Sequence, residues 1–153
     1  MSLFVIGDTH LSLSVDKPMD IFRGWTDYID RLKSNWNKVV SPEDSVVIPG
    51  DISWGMSLEE SRADLAFIDS LPGRKLIGKG NHDYWWSTAS KSYKFCDENG
   101  FSNQWILNNN HYEYDGYAIC GTRGWVCPGS DEFTEHHMKI YLREAGRLER
   151  SLQ

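Results

Sequence analysis

The sequence is poor in most of the features that mark specialised protein classes. No apolar run approaches the roughly 18 residues of a membrane span. Only three cysteines occur, Cys96, Cys120 and Cys127. Their number is odd and none shows C-x-x-C spacing, so neither a disulfide framework nor a zinc knuckle is predicted. Thiols in a reducing compartment are the expectation. Basic charge is in deficit, with 16 Lys and Arg against 22 Asp and Glu and a net charge of -6. A pI near 5.3 argues against a general nucleic-acid binder, which neutralises many phosphates with Lys and Arg. Small anionic substrates remain open, because bound divalent metals reverse the local field of an acidic pocket. No repeat, linker or low-complexity segment interrupts the chain. Met1 leads directly into an apolar strand with no basic segment before it, so a cytoplasmic protein is expected. With 153 residues, 40% hydrophobic and 25% charged, one globular domain over 1–153 is predicted.

The hydrophobic pattern is that of an α/β protein. Leu3-Phe4-Val5-Ile6 is a short apolar run ended by Gly7, suited to a strand buried on both faces. From Met19 to about Trp36, the residues Ile21, Phe22, Trp25, Tyr28, Ile29, Leu32 and Trp36 recur at three- and four-residue steps, predicting a helix. Ser41-Pro42-Glu43-Asp44 breaks the chain, and Ser45-Val46-Val47-Ile48 gives a second buried strand ending at Gly50-Asp51. Ser57 reads as an N-cap with Glu60 three residues on, opening a helix through Leu65, Ile68 and Leu71 to Pro72-Gly73. Lys75-Leu76-Ile77 is a third strand, followed by Gly80-Asn81-His82-Asp83 and a helix over about 86–99. Gln104-Trp105-Ile106-Leu107 is a further strand. Segments 111–114 and 117–120 flank Asp115-Gly116, a hairpin signature. Ser130 is predicted to cap a final long helix whose Phe133, Ile140, Tyr141, Leu148 and Leu152 share a face.

Three acidic and histidine motifs, Asp8-Thr9-His10, Gly50-Asp51 and Gly80-Asn81-His82-Asp83, each follow a predicted strand. Open α/β sheets place ligands outside the carboxyl ends of their strands, so all three motifs face one crevice. Phosphate-ester hydrolysis needs a strong nucleophile and charge neutralisation, which two divalent ions about 3.5–4 Å apart supply. Asp8 and His10, one residue apart on an extended segment, project toward the same side and can chelate one ion. Asp51 can bridge the ions, Asn81 offers a neutral oxygen to the second, and His82 can stay off the metals as general acid. Asp83 is predicted to orient the His82 ring. The Gly-Asn-His-Asp tetrad arises by chance in roughly one chain of this length in two thousand. For any motif alone, turn hydrogen bonds and a solvated histidine would be the favoured reading.

The set D-x-H, G-D, G-N-H-D resembles the calcineurin-like metallophosphoesterase superfamily, over roughly residues 3–90. The resemblance implies a two-sheet sandwich flanked by helices and two ions such as Mn, Fe, Zn or Ni. It implies hydrolysis of phosphate mono- or diesters, or pyrophosphates, by a metal-activated hydroxide, on a phosphorylated small molecule or nucleotide. It assigns Asp8 and His10 to the first metal, Asp51 to the bridge, Asn81 to the second metal, and His82 with Asp83 to leaving-group departure. The family pattern continues with an isolated His and a G-H-x-H motif, and neither is present. His111 opens a hairpin strand, while His136 and His137 are helical neighbours about 100° apart, so none is a ready substitute. The second site is therefore expected to be incomplete. Because the second sheet also looks unfinished at Gln153, a C-terminally truncated, weakly active form is predicted, with an exposed sheet edge that invites homodimerisation.

Trp54, Tyr84, Trp85 and Trp86 follow two of the motifs closely. They either pack under the loops or stack on a nucleoside or aryl leaving group. Arg123, in a glycine-flanked loop, either reaches a phosphate or is solvated. The rival to an enzyme is a non-catalytic interaction module on the same fold, as in the phosphoesterase-like subunit of the retromer coat. The incomplete metal set favours that rival and the His82-Asp83 pair opposes it. A nuclease of the superfamily is disfavoured by the acidic charge.

Overall fold

Two kinds of hydrophobic pattern build two kinds of sheet. Short segments of three or four residues form β1 (Leu3–Val5), β2 (Ser45–Ile48), β3 (Arg74–Ile77) and β4 (Gln104–Ile106). They pair in parallel in the order β1-β2-β3-β4, with Val47 opposite both Val5 and Leu76. The alternating segments His111–Tyr114 (β5) and Tyr117–Cys120 (β6) form a separate antiparallel hairpin. The computed structural model describes residues 1–153. It divides into two compact units, Met1–Ile106 and Leu107–Gln153.

In the first unit, helices α1 (Tyr28–Val39), α2 (Arg62–Ser70) and α3 (Ala89–Asn99) connect the parallel strands, as parallel pairing requires. Trp36 and Val40 at the end of α1, Leu65 and Ile68 of α2, and Val46, Ile48, Ile77 and Ile106 of the sheet share one buried cluster. β2 is buried throughout, whereas Leu3 is 40% and Val5 66% exposed. β1 is thus an edge strand with one open face, not a strand buried on both faces. The helix predicted from Met19 begins nine residues later. Gly24 at φ 88° and Asp27 at φ 52° occupy the left-handed region, which a right-handed helix excludes. Ile21 and Phe22 accordingly stay exposed. Ser57 makes its bond with Glu60, but the segment forms turns before α2 starts at Arg62.

Lys75 on β3 is fully buried, and its Nζ donates to the carbonyls of Asp69 and Leu71 at the end of α2. A cation there complements the carbonyl end of the helix, but burial pulls its pKa from 10.5 to about 8. The folded value lies below the unfolded one, so the penalty for burying the charge is complete below about pH 8 and fades as pH rises further. Urea denaturation of the wild-type chain and Lys75→Met should therefore diverge in the wild type's favour from pH 8 to 10. The change should not exceed about 3 kcal/mol. A constant difference across that range would contradict it.

In the second unit the final helix, α4, runs from Glu135 to Ser151. Its cap is Thr134, whose hydroxyl accepts from the His137 N–H. Ser130, the predicted cap, lies in a turn with its own N–H on the Cys127 carbonyl. Glu144, almost fully buried, receives Arg143, Arg147 and the Thr122 hydroxyl. The three cysteines are free thiols. No helix is long and apolar enough to cross a membrane.

Candidate metal centre

The first two motifs continue the sheet after its strands end. The Asp8 N–H donates to Gly50 O, His10 N–H to Asp51 O, and Leu11 N–H to Ile52 O. The Thr9 hydroxyl adds a bond to the Ile52 carbonyl at 3.1 Å. The third motif is pressed against the second by its glycines. A Cβ on Gly80 would lie 1.9 Å from Asp51 Oδ1, and one on Gly50 would lie 2.0 Å from the Gly80 nitrogen. Neither distance leaves room for any side chain.

Asp83 bolts these loops together. Its carboxylate accepts from the N–H groups of Asp51 (2.7 Å), Ile52 (2.8 Å) and Gly80 (2.8 Å), and from the Trp85 indole N–H (2.9 Å). Asp51 returns the grip, its Oδ1 accepting from the His82 N–H at 2.8 Å. Sequence reasoning gave Asp83 the task of orienting the His82 ring. Its lone pairs are instead taken by these donors, and His82 Nδ1 lies 3.1 Å from Asp51 Oδ2. Successive side chains point apart, so adjacency in sequence did not become contact.

The arrangement brings His10, Asp51 and His82 together, with one donor atom from each within 4.8 Å of the others. Asp8 stands beside them, its Oδ1 3.5 Å from His10 Nε2 and its side chain 74% exposed. The Asn81 amide nitrogen lies 3.2 Å from His82 Nδ1. Of the predicted metal residues, His10 and Asp51 thus form the core of the cluster and Asp8 and Asn81 its margin. His82, expected to stand apart as proton donor, is the third member of the cluster. The D-x-H segment is not extended as supposed. Asp8, His10 and Asp51 have φ of 56°, 44° and 54°, conformations uncommon outside glycine and least costly for Asp, Asn and His. His10 Nδ1 is buried with no partner. Its Nε2 faces Asp8, and an imidazole grouped with the carboxylates of Asp8 and Asp51 is a donor set that suits a first-row divalent ion.

A second layer escaped the sequence reading. Asp64 on α2 is fully buried, accepting from the Leu13 N–H at 2.8 Å and from the Ser53 hydroxyl. It thereby ties the chain after motif one to the chain after motif two. Burial pushes its carboxyl above the ordinary value, against those hydrogen bonds. Tyr28 donates to the His10 carbonyl at 2.9 Å. Asp64 was detectable, since an acid four residues before Ile68 sits on the helix's apolar stripe. Among the aromatics, Trp85 and Trp86 are core residues, Tyr84 is 57% exposed, and Trp54 stacks on His10. Arg123 belongs to the second unit, where its guanidinium lies 4.5 Å from the Trp125 ring centre and its Nε is buried without a partner.

The calcineurin-like phosphoesterase family model matches residues 1–151. This chain belongs to that family. No curated protein matches this calcineurin-like phosphoesterase. The crystal structure of a protein of unknown function from Aquifex aeolicus aligns with 95% of this phosphoesterase chain and 75% of its own, at 24% identity and a TM-score of 0.49. The parallel sheet with connecting helices and the separate two-stranded sheet make this family member an α/β protein.

Proposed function

We propose that this phosphoesterase hydrolyses phosphate mono- or diesters of a small molecule or nucleotide. The observation that carries the reading is the convergence of His10, Asp51 and His82 from three separate loops to within 4.8 Å. Bound divalent ions, Mn, Fe, Zn or Ni, supply charge neutralisation for the phosphoryl oxygens and acidify a water. His10 and Asp51, with Asp8 beside them, would hold the first ion. Asp51 and Asn81 would hold the second more weakly, with His82 the one further donor beside them. His82, third member of the cluster and 39% exposed at its side chain, would face the leaving oxygen and could pass a proton to it when its ring is not on an ion. Three free thiols support a reducing, cytoplasmic setting.

Titration with Mn, read by calorimetry, should give one well-bound ion per chain. Turnover of p-nitrophenyl phosphate should be slight. Turnover as fast as that of an enzyme with two filled metal sites would reject the weak second site, and absence of any bound ion would reject the metal reading itself. The interaction-module alternative is strengthened in one respect. Asp83 is occupied by loop N–H groups, so a His-Asp pair no longer argues for proton transfer. The exposed edge of β1 offers such a module, or a second copy of the chain, a place to pair.

A further inference from the structure

We propose that Trp54 is a positioning residue for metal binding, fixing the plane of the His10 imidazole from within a sandwich closed by Lys17. The inference rests on His10 being a ligand, as proposed above. A histidine that ligates a metal is normally held by a hydrogen bond from its other ring nitrogen to a carboxylate or carbonyl, which sets tautomer and orientation. His10 has no such anchor. Its Nδ1 is buried without a partner, and its Nε2 is 3.5 Å from Asp8, beyond the usual range of about 2.7–3.2 Å. Whichever nitrogen takes the ion, the other gives the ring no hinge.

The stack supplies what the hydrogen bond does not. The His10 and Trp54 ring centroids are 4.6 Å apart with planes inclined by only 18°. Lys17 Nζ lies 3.2 Å from the centre of the same indole. An imidazole and an ammonium cannot share one face at those separations, so they occupy opposite faces. The indole is itself fixed at both ends, its backbone N–H on Leu11 O at 2.9 Å and its ring N–H directed at Met19 Sδ, 3.3 Å away. A tryptophan face is the best aromatic partner for a cation, and an ion on His10 would make the imidazole more cationic. With both faces covered, Trp54 is not a platform for a substrate base. That leaves Tyr84, 6.3 Å from His82 between ring centroids, as the exposed aromatic of the site.

The test uses the 153-residue chain with Co(II), followed by calorimetry and visible absorption, in wild type, Trp54→Leu, Trp54→Phe and Lys17→Met. Trp54→Leu keeps an apolar filler but removes the ring, and should weaken Co(II) binding about tenfold, the low end for losing a residue that orients a ligand. It should also alter the d–d spectrum. Trp54→Phe should restore most of the affinity, and Lys17→Met should fall between. In the metal-free chain, the His10 ring protons should be shifted upfield by the indole, lost in Trp54→Leu and partly kept in Trp54→Phe. Wild-type affinity in Trp54→Leu, or equal weakness in the Leu and Phe variants, overturns the proposal. A wild-type chain that binds no Co(II) while showing the upfield shift rejects His10 as a ligand, and with it the inference, without touching the stack.

Discussion

Asp83→Ala should lose about 4 kcal/mol of stability in urea denaturation and, in the same step, the metal centre. The substitution strands the backbone N–H groups of Asp51, Ile52 and Gly80 and the Trp85 indole N–H. Each buried donor without an acceptor costs about 1–3 kcal/mol, and water entering the vacated space recovers part of it. A domain holds only about 5–15 kcal/mol in total, so the variant should sit near the edge of folding at 37 °C. Asp83→Asn should be intermediate, since its amide keeps one acceptor oxygen but turns N–H groups toward other donors. Had Asp83 served only to orient His82, as the sequence suggested, Asp83→Ala would leave the unfolding midpoint in place and change turnover alone. The two outcomes are separable in one denaturation series.

Asp51→Asn should abolish ion binding while leaving the fold intact. The amide oxygen can still accept from the His82 N–H, as Oδ1 does at 2.8 Å, and asparagine tolerates the φ of 54° found there. The variant therefore removes one negative charge and one ligand oxygen with little else disturbed. Loss of a residue that merely orients a ligand costs about 10–100-fold in metal affinity, so loss of the central carboxylate should exceed about 100-fold. Calorimetric titration with Mn measures it, beside a thermal melt of the metal-free variant. An affinity within tenfold of wild type would remove Asp51 from the centre.

The fold was legible wherever local pattern and global packing agree. β2 occupies the predicted residues 45–48, and the hairpin strands fall on 111–114 and 117–120 around Asp115-Gly116, because turn chemistry and alternation fix them locally. The start of α1 was hidden by a good helical period across Met19–Trp36 that two left-handed residues, Gly24 and Asp27, override. The cap of α4 was displaced from Ser130 to Thr134 for a similar reason: both residues suit a cap, and the turn at Cys127–Ser130 decides between them. At the site, the motif residues were legible but their division of labour was not. Sequence places His82 beside Asp83, yet it is Asp51, across a loop contact, that faces the imidazole. Lys17 and Trp54 carry no motif at all. Their role exists only because Leu11 and Met19 hold the indole against His10.

The left-handed backbone at Asp8, His10 and Asp51 also governs what substitution can achieve at these positions. With the ion proposed above, two demands fall on each, one from the turn and one from coordination, and different amino acids satisfy them separately. Glycine meets the turn and offers the ion nothing. Asparagine meets the turn and half of the coordination. Glutamate carries the charge but resists the backbone, and valine fails on both counts. A library sorted for folding and then for ion binding would thus read the two demands as two different alphabets at the same three sites.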